Sequence, residues 1–127
     1  MRQAYAHEAR LEIDPDGDER APGAAVTVAL CGHWDHEPPC RVPHRSDVVA
    51  REGDRLVVRV LFACPPADTG GVRAAVAAAL AAGELPVPAP DAAPETRWRV
   101  LDQEPVALTE GELPVAARLV AHPRADQ

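Results

Sequence analysis

The chain opens with a stretch in which apolar and polar side chains alternate. Over residues 5–13 the odd positions are apolar, apart from His7, and the even positions are mostly charged. A period of two predicts a half-buried strand. Residues 14–23, which follow, are dense in aspartate, proline and glycine, and they predict a solvated loop.

Three further strands are predicted in the first half of the chain. Residues 25–34 alternate between an apolar side and a mixed one, and they form the second predicted strand. Residues 47–51 and 55–63 predict two more strands, joined by a tight turn at 52–54 with a glycine in the middle. Since 55–63 is apolar on one side and partly apolar on the other, it predicts a central strand.

Two helices and one more strand are predicted in the second half. The stretch from Asp68 or Thr69 to residue 82 combines a capping side chain, many alanines and a terminating Gly83. After a proline-rich connection, residues 96–101 predict a strand. Thr109 and Glu112 have the spacing of a capping box, which predicts a helix over 109–120.

The order of these elements predicts the fold class. Four strands, a helix, a strand and a helix (ββββαβα) indicate a single α+β domain over residues 1–127. We expect a mostly antiparallel sheet of four to five strands, with both helices packed on one face. The absence of strict strand–helix alternation and of a glycine-rich phosphate loop argues against a doubly wound nucleotide-binding fold.

Composition narrows the classes of partner. The net charge is −7 and the arginines are dispersed, so nucleic acid is not an expected partner. No apolar run approaches the length of a membrane span, and no secretory signal is recognised at the start, so we expect a cytoplasmic protein without a membrane partner. The absence of lysine and the many alanines, prolines and glycines suggest a GC-rich bacterial genome.

One segment concentrates residues that bind metals. Cys31, His33, His36, Cys40 and His44 lie within fourteen residues. Thiolates and imidazoles are the ligands that Zn²⁺ accepts, usually four around one ion. The prediction is therefore a zinc-like site in the 31–44 segment of a small structural or accessory domain, with one of the five residues as a spare.

The geometry of the predicted strand supports that hypothesis. On a strand, Cys31 and His33 point to the same side, away from the valines, and the loop with three prolines that follows could return His36, Cys40 and His44. The spacing matches none of the established metal motifs, however. The alternative is that Cys31 is a small buried apolar residue and that the histidines are surface loop residues.

Two other functions are compatible with the sequence. One is a protein-binding or scaffold module without metal, pairing with a partner or a second copy through a sheet edge or around Trp34. The other is a small metal-dependent hydrolase or lyase with Asp35 or Glu37 as its base. No set of catalytic residues can be singled out, and Ser46 is a poor candidate nucleophile.

Three residues outside the segment are interpreted as structural. Cys64 ends the predicted central strand on the core side and is expected to be a buried, unreactive thiol. His7 lies on the apolar side of the first strand and is expected to be a satisfied core or edge histidine. Trp98, near the start of the last predicted strand, is expected to cap the core.

Overall fold

The computed structural model describes residues 1–31, 42–85 and 96–122, and of Cys31 only the backbone. Within these ranges the α-helices and strands follow in the order βαββαβα. They are β1 (Gln3–Ile13), α1 (Ala21–Cys31), β2 (His44–Glu52), β3 (Arg55–Cys64), α2 (Thr69–Ala81), β4 (Trp98–Val106) and α3 (Leu113–Ala121). Single 3₁₀ turns at Pro66–Asp68 and Glu110–Glu112 lead into α2 and α3.

The four strands form one antiparallel sheet in the order β2-β3-β1-β4. The predicted α+β class with an antiparallel sheet is confirmed. The first six elements, βαββαβ, place β3 between β1 and β2, and β1 between β3 and β4. This is the split βαβ arrangement, also called ferredoxin-like.

The alternation along β1 gives the sheet two different faces. On the first, which we call the helical face, Leu11 is paired with Leu56 and Ala9 with Val58. On the second, which we call the charged face, Glu8 is paired with Arg59. Because successive side chains of a strand point to opposite sides, one register fixes both faces.

Helices α1 and α2 cover the helical face, and the main core lies between them and the sheet. Val72, Val76 and Leu80 of α2 recur at helical spacing and are buried there. The fully buried side chains of this face remove apolar surface from water, at about 1.5–3 kcal/mol for each valine, leucine or phenylalanine. They include Leu11, Val26, Leu56, Val58, Val60, Phe62, Val76 and Leu80.

The second predicted strand, residues 25–34, is wrong where the structure describes it. Residues up to Cys31 belong to helix α1, which begins at Ala21. Its buried residues include Ala21, Pro22, Ala25, Val26 and Leu30, which share one side of a helix. The alternation of Val26, Val28 and Leu30 is too short to separate strand from helix, and packing on the sheet decided the outcome.

The predicted placement of both helices on one face is also corrected. Helix α3 contacts β1 and β3, while Arg59 of the charged face bonds to Glu112 at the start of that helix. Helix α3 therefore covers part of the charged face, opposite α1 and α2. β4 extends to Val106, beyond the predicted end at residue 101, and it includes Pro105, which an edge strand tolerates.

Candidate functional site: a polar cleft between α1 and β2

The predicted metal-binding function is contradicted in the part of the chain that the structure describes. Within residues 1–31, 42–85 and 96–122, no group of three or more His, Cys, Asp or Glu side chains could hold a metal ion. The strand geometry behind that prediction also fails, because Cys31 ends a helix instead of leaving a sheet. The hypothesis of a metal-dependent hydrolase or lyase depends on the same metal-binding function and is contradicted with it.

Of the five predicted ligands, the structure describes His44 and the backbone of Cys31. His33, His36 and Cys40 lie outside the described residues, as do Trp34, Asp35 and Glu37. The ligand set and the choice of zinc therefore stay predictions from the sequence. His44 is described, and it opens β2 next to α1.

Helix α1 approaches β2 closely at two successive points. A Cβ atom on Gly23 would lie 2.9 Å from Cβ of Ser46, so this contact requires a glycine. One helical turn further, Oγ1 of Thr27 lies 3.0 Å from Nε2 of His44. The four residues from Gly23 to Thr27 rise about 6 Å, and the two from Ser46 to His44 about 6.8 Å. Helix α1 and strand β2 therefore run antiparallel here, and the spacing between the two contacts is nearly the same along both elements.

Two hydrogen bonds of His44 favour one tautomer of its neutral ring. Its Nδ1 lies 2.9 Å from the carbonyl oxygen of Val42, which can only accept a hydrogen bond. In a neutral imidazole the single N–H is therefore on Nδ1, and Nε2 accepts the hydrogen bond from the Thr27 hydroxyl. The alternative acceptor for that hydroxyl, the Gly23 carbonyl, lies at the longer distance of 3.3 Å. The geometry thus favours a hydroxyl that donates to an imidazole held by a backbone carbonyl.

These residues line a cleft of about 460 Å³ between the first half of α1 and the start of β2. Thr27, His44 and Ser46 contribute its uncharged polar groups. The hydroxyl oxygen of Ser46 is buried, yet it has no hydrogen-bond partner among the described residues. A buried hydroxyl without a partner costs about 1–3 kcal/mol, so it marks a place where a polar group of a ligand would be favourable.

The charged side chains at the cleft rim are paired. Arg20 bonds to Asp18 at 2.8 Å, and Arg45 to Asp47 at 3.0 Å. Glu19 accepts a hydrogen bond from Arg51 at 3.3 Å. Each of these charges is therefore balanced by a neighbour of opposite sign, and no net field of one sign selects a charged ligand.

Cys64, Trp98 and His7, which the sequence predicts to have structural roles, all lie within the described residues. Cys64 is buried and free, and burial raises the pKa of its thiol, so the reactive thiolate is disfavoured. The indole of Trp98 is buried and donates to the carbonyl of Leu80 at 2.7 Å. His7 is buried and its Nε2 bonds to Gln103, but its Nδ1 has no partner among the described residues. Cys64 and Trp98 match the expectation, and His7 is a core histidine satisfied at one nitrogen.

Sequence reasoning did not bring the cleft residues together. The sequence pattern places Thr27 on a predicted strand and offers Ser46 only as a poor nucleophile. The signal present in the sequence is a Gly-x-x-x-Thr spacing over 23–27 and a His-x-Ser spacing over 44–46. It has a meaning only after 21–31 is known to be a helix, because i and i+4 then share one face.

The comparisons with known proteins assign no family. No known family model, curated protein or solved structure matches the chain. Among the helices in the described ranges, none has the length and apolar character needed to cross a membrane. The described residues form an α+β domain of split βαβ topology with a polar cleft between α1 and β2.

Proposed function

We propose that the protein binds a small, uncharged, hydrogen-bonding molecule in the cleft between α1 and β2. The observation that carries this proposal is a cleft of about 460 Å³ lined by the partly accessible polar side chains of Thr27 and His44. The hydroxyl of Ser46, which lacks a partner among the described residues, is buried in its wall. The volume of the cleft falls within the range of about 300–1,000 Å³ typical of small-molecule sites. A ligand group bonded to Ser46 would remove the cost of the unmade hydrogen bond.

The charges around the cleft favour an uncharged ligand. Arg20, Arg45 and Glu19 already have partners of opposite sign, so a charged ligand would have to compete with existing ion pairs. An uncharged ligand can donate a hydrogen bond to the Thr27 hydroxyl oxygen without breaking an ion pair or the hydrogen bond to His44. The net charge of −7 further opposes nucleic acid as a ligand.

Amide-resolved NMR titration tests this function. The probes are glycerol, ribose and N-acetylalanine methylamide, with acetate and inorganic phosphate as charged controls. We expect the uncharged probes to shift the amide signals of Gly23, Thr27 and Ser46 in a saturable way, with weaker effects from the charged ones.

Two variants sharpen the titration. Ser46→Ala should weaken binding of the best probe by about two- to tenfold, the equivalent of one hydrogen bond. Leu113→Ser, at an exposed position outside the cleft, should leave binding unchanged. If no uncharged probe shifts the cleft signals up to its solubility limit, or if the shifts fall elsewhere, the proposal is wrong.

Binding of a protein partner or a second copy through a sheet edge is a second proposal. It is favoured by Val49 on β2 and Leu101 on β4, which are exposed apolar side chains on the two edge strands. It ranks lower because each lies where the strand register shifts, and bulges at an edge oppose strand addition. Sedimentation equilibrium should reveal a dimer, and a strict monomer at all concentrations would exclude self-association.

We also propose a cytoplasmic location. The buried free thiol of Cys64 is the supporting observation, since reduced cysteines are usual in a reducing compartment. A fluorescent fusion in a bacterial host, followed by fractionation, would test it. Recovery from the periplasm would contradict it.

A further inference from the structure

We propose that Thr27 and His44 form a nucleophile–base pair that transfers an acyl group from an uncharged ester bound in the cleft. This inference rests on the proposed function, since the ester would occupy the same cleft. It adds a reaction to the binding site and assigns Thr27 as the nucleophile and His44 as the general base.

The geometry of the pair carries the inference. An activated hydroxyl nucleophile requires a base within hydrogen-bond reach and a third group that orients the base. Oγ1 of Thr27 lies 3.0 Å from Nε2 of His44, and Nδ1 of the same ring lies 2.9 Å from the carbonyl of Val42. Both side chains are partly accessible and line the cleft, so a ligand there can reach them.

The position of Ser46 adds a third participant. His44 and Ser46 are two residues apart on β2 and therefore point to the same side of the strand, toward α1. The Ser46 hydroxyl is buried in the cleft wall and has no partner among the described residues. A rotation of this side chain toward the cleft would let it donate a hydrogen bond to the carbonyl oxygen of the ester, where negative charge develops during attack.

The reaction proceeds in two balanced stages. Oγ1 of Thr27 attacks the ester carbonyl carbon while its proton passes to Nε2 of His44. The carbon–oxygen bond to the leaving group breaks, and that proton passes to the departing alkoxide, leaving an acyl ester on Thr27. Water then attacks this ester and gives a proton to Nε2 of His44. The bond between the acyl carbon and Oγ1 of Thr27 breaks, His44 returns the proton to Oγ1, and a carboxylic acid leaves as the second product.

p-Nitrophenyl acetate is the probe for this reaction. We expect release of nitrophenolate together with one acetyl group on Thr27, detected by mass spectrometry after cleavage at arginine. The chain has no lysine, which removes the usual side reaction of this ester with lysine amines. Cleavage at Arg20 and Arg41 isolates a peptide in which Thr27 is the only hydroxyl-bearing residue. Neutral hydroxylamine removes thioesters formed on the cysteines of that peptide.

Substitutions separate catalysis from structure. Thr27→Val keeps the shape of the side chain and should lower the acylation rate by about 100-fold, as should His44→Gln. Thr27→Ser keeps a hydroxyl and should retain acylation at the same position. Thr109→Val, at an exposed threonine, is the matched control and should react like the unmodified protein.

The outcomes distinguish the inference from the proposed function. If the folded Thr27→Val variant is acylated as fast as the protein without substitution, the Thr27–His44 hydrogen bond only stabilises the packing of α1 on β2. The inference is then overturned. Binding of N-acetylalanine methylamide in the cleft without acylation of Thr27 overturns the inference and leaves the proposed function standing. If neither binding nor acylation occurs, both are wrong. Should His44→Gln fail to fold, as judged by circular dichroism, Thr27→Val decides alone.

Discussion

The two faces of the sheet are stabilised by different forces. On the helical face, apolar side chains are excluded from water by α1 and α2, and the stabilisation scales with the buried area. On the charged face, arginines and carboxylates pair across strands, and the apolar side chains of Ala6 and Leu61 are buried beside them. One side of the sheet is thus held mainly by non-directional burial, and the other combines a small buried apolar area with directional ion pairs.

Two ion pairs on the charged face differ in how deeply they are buried. Arg59 and Glu112 meet at 2.7 Å beneath α3, with side chains only 12% and 18% exposed. Arg10 and Asp102 meet at 2.6 Å on the open part, with side chains 48% and 57% exposed. Solvent screens the second pair much more than the first, so similar distances should correspond to different contributions to stability.

The largest effect is expected from a cavity on the helical face. Leu80 of α2 is fully buried, and Leu80→Ala should lower the free energy of unfolding by about 2–5 kcal/mol, because it removes apolar contact and leaves a void. Denaturant unfolding monitored by circular dichroism measures this. Leu113→Ala, at a leucine that is 52% exposed on α3, should change stability by less than about 0.5 kcal/mol. Equal losses in the two variants would contradict the contrast.

A smaller effect is expected where α1 meets β2. Gly23→Ala would place a Cβ atom 2.9 Å from Ser46, so the helix must shift, at about 1–3 kcal/mol. Gly71→Ala in α2 is the matched control, because a Cβ there meets nothing within 4 Å. It should stabilise the protein by about 0.5–1 kcal/mol through helix propensity. Thermal unfolding of both variants should give shifts of opposite sign, and a stabilising Gly23→Ala would show that the close approach is wrong.

The smallest effect should come from the charged face, and it should depend on pH. The Arg59 guanidinium holds the pKa of the Glu112 carboxyl below its ordinary value of 4.5. A carboxyl with a lowered folded-state pKa contributes stability above pH 4.5, and this contribution is lost as the pH falls through the folded-state pKa. Glu112→Gln should therefore cost about 1–2 kcal/mol at pH 7 and progressively less below pH 4.5.

Asp102→Asn is the control for that experiment. Asp102 pairs with Arg10 on the exposed part of the same face, so its loss should leave the unfolding midpoint unchanged at physiological salt. Urea unfolding from pH 2 to pH 8 compares the two variants. A Glu112→Gln penalty that persists undiminished at low pH would show that the ion pair is not its source.

Prediction from the sequence succeeded where one local pattern and the tertiary packing agree. The strand over 5–13 and the hairpin around Gly53 were predicted by alternation and by the turn, and Gly53 has the positive φ of 62° that such a turn requires. The helix from Thr69 is also as predicted, because its buried residues recur at helical spacing. The capping box was correct as well, since the Glu112 carboxylate accepts a hydrogen bond from the Thr109 N–H at 2.8 Å.

Prediction failed where a short apolar run fits two periods. In the 21–31 segment, the valines and leucine at 26, 28 and 30 alternate like a strand, while Ala21, Ala25 and Val26 follow a helix. Because of this error, the predicted site was wrong. A strand would bring the Cys31 side chain close to the loop that follows, whereas the helix brings Thr27 into contact with His44. The cleft depends on contacts between residues 17 to 23 positions apart, which no local pattern encodes.

The sequence by itself determined the α+β class, the apolar side of each long element and the acidic charge, because composition and periodicity act locally. Tertiary structure alone decided that the 21–31 segment is a helix, that α3 lies on the charged face and that Thr27, His44 and Ser46 share one cleft. Each of these outcomes depends on which surfaces are buried together. That choice is made by the free energy of the whole packed chain and not by any one segment.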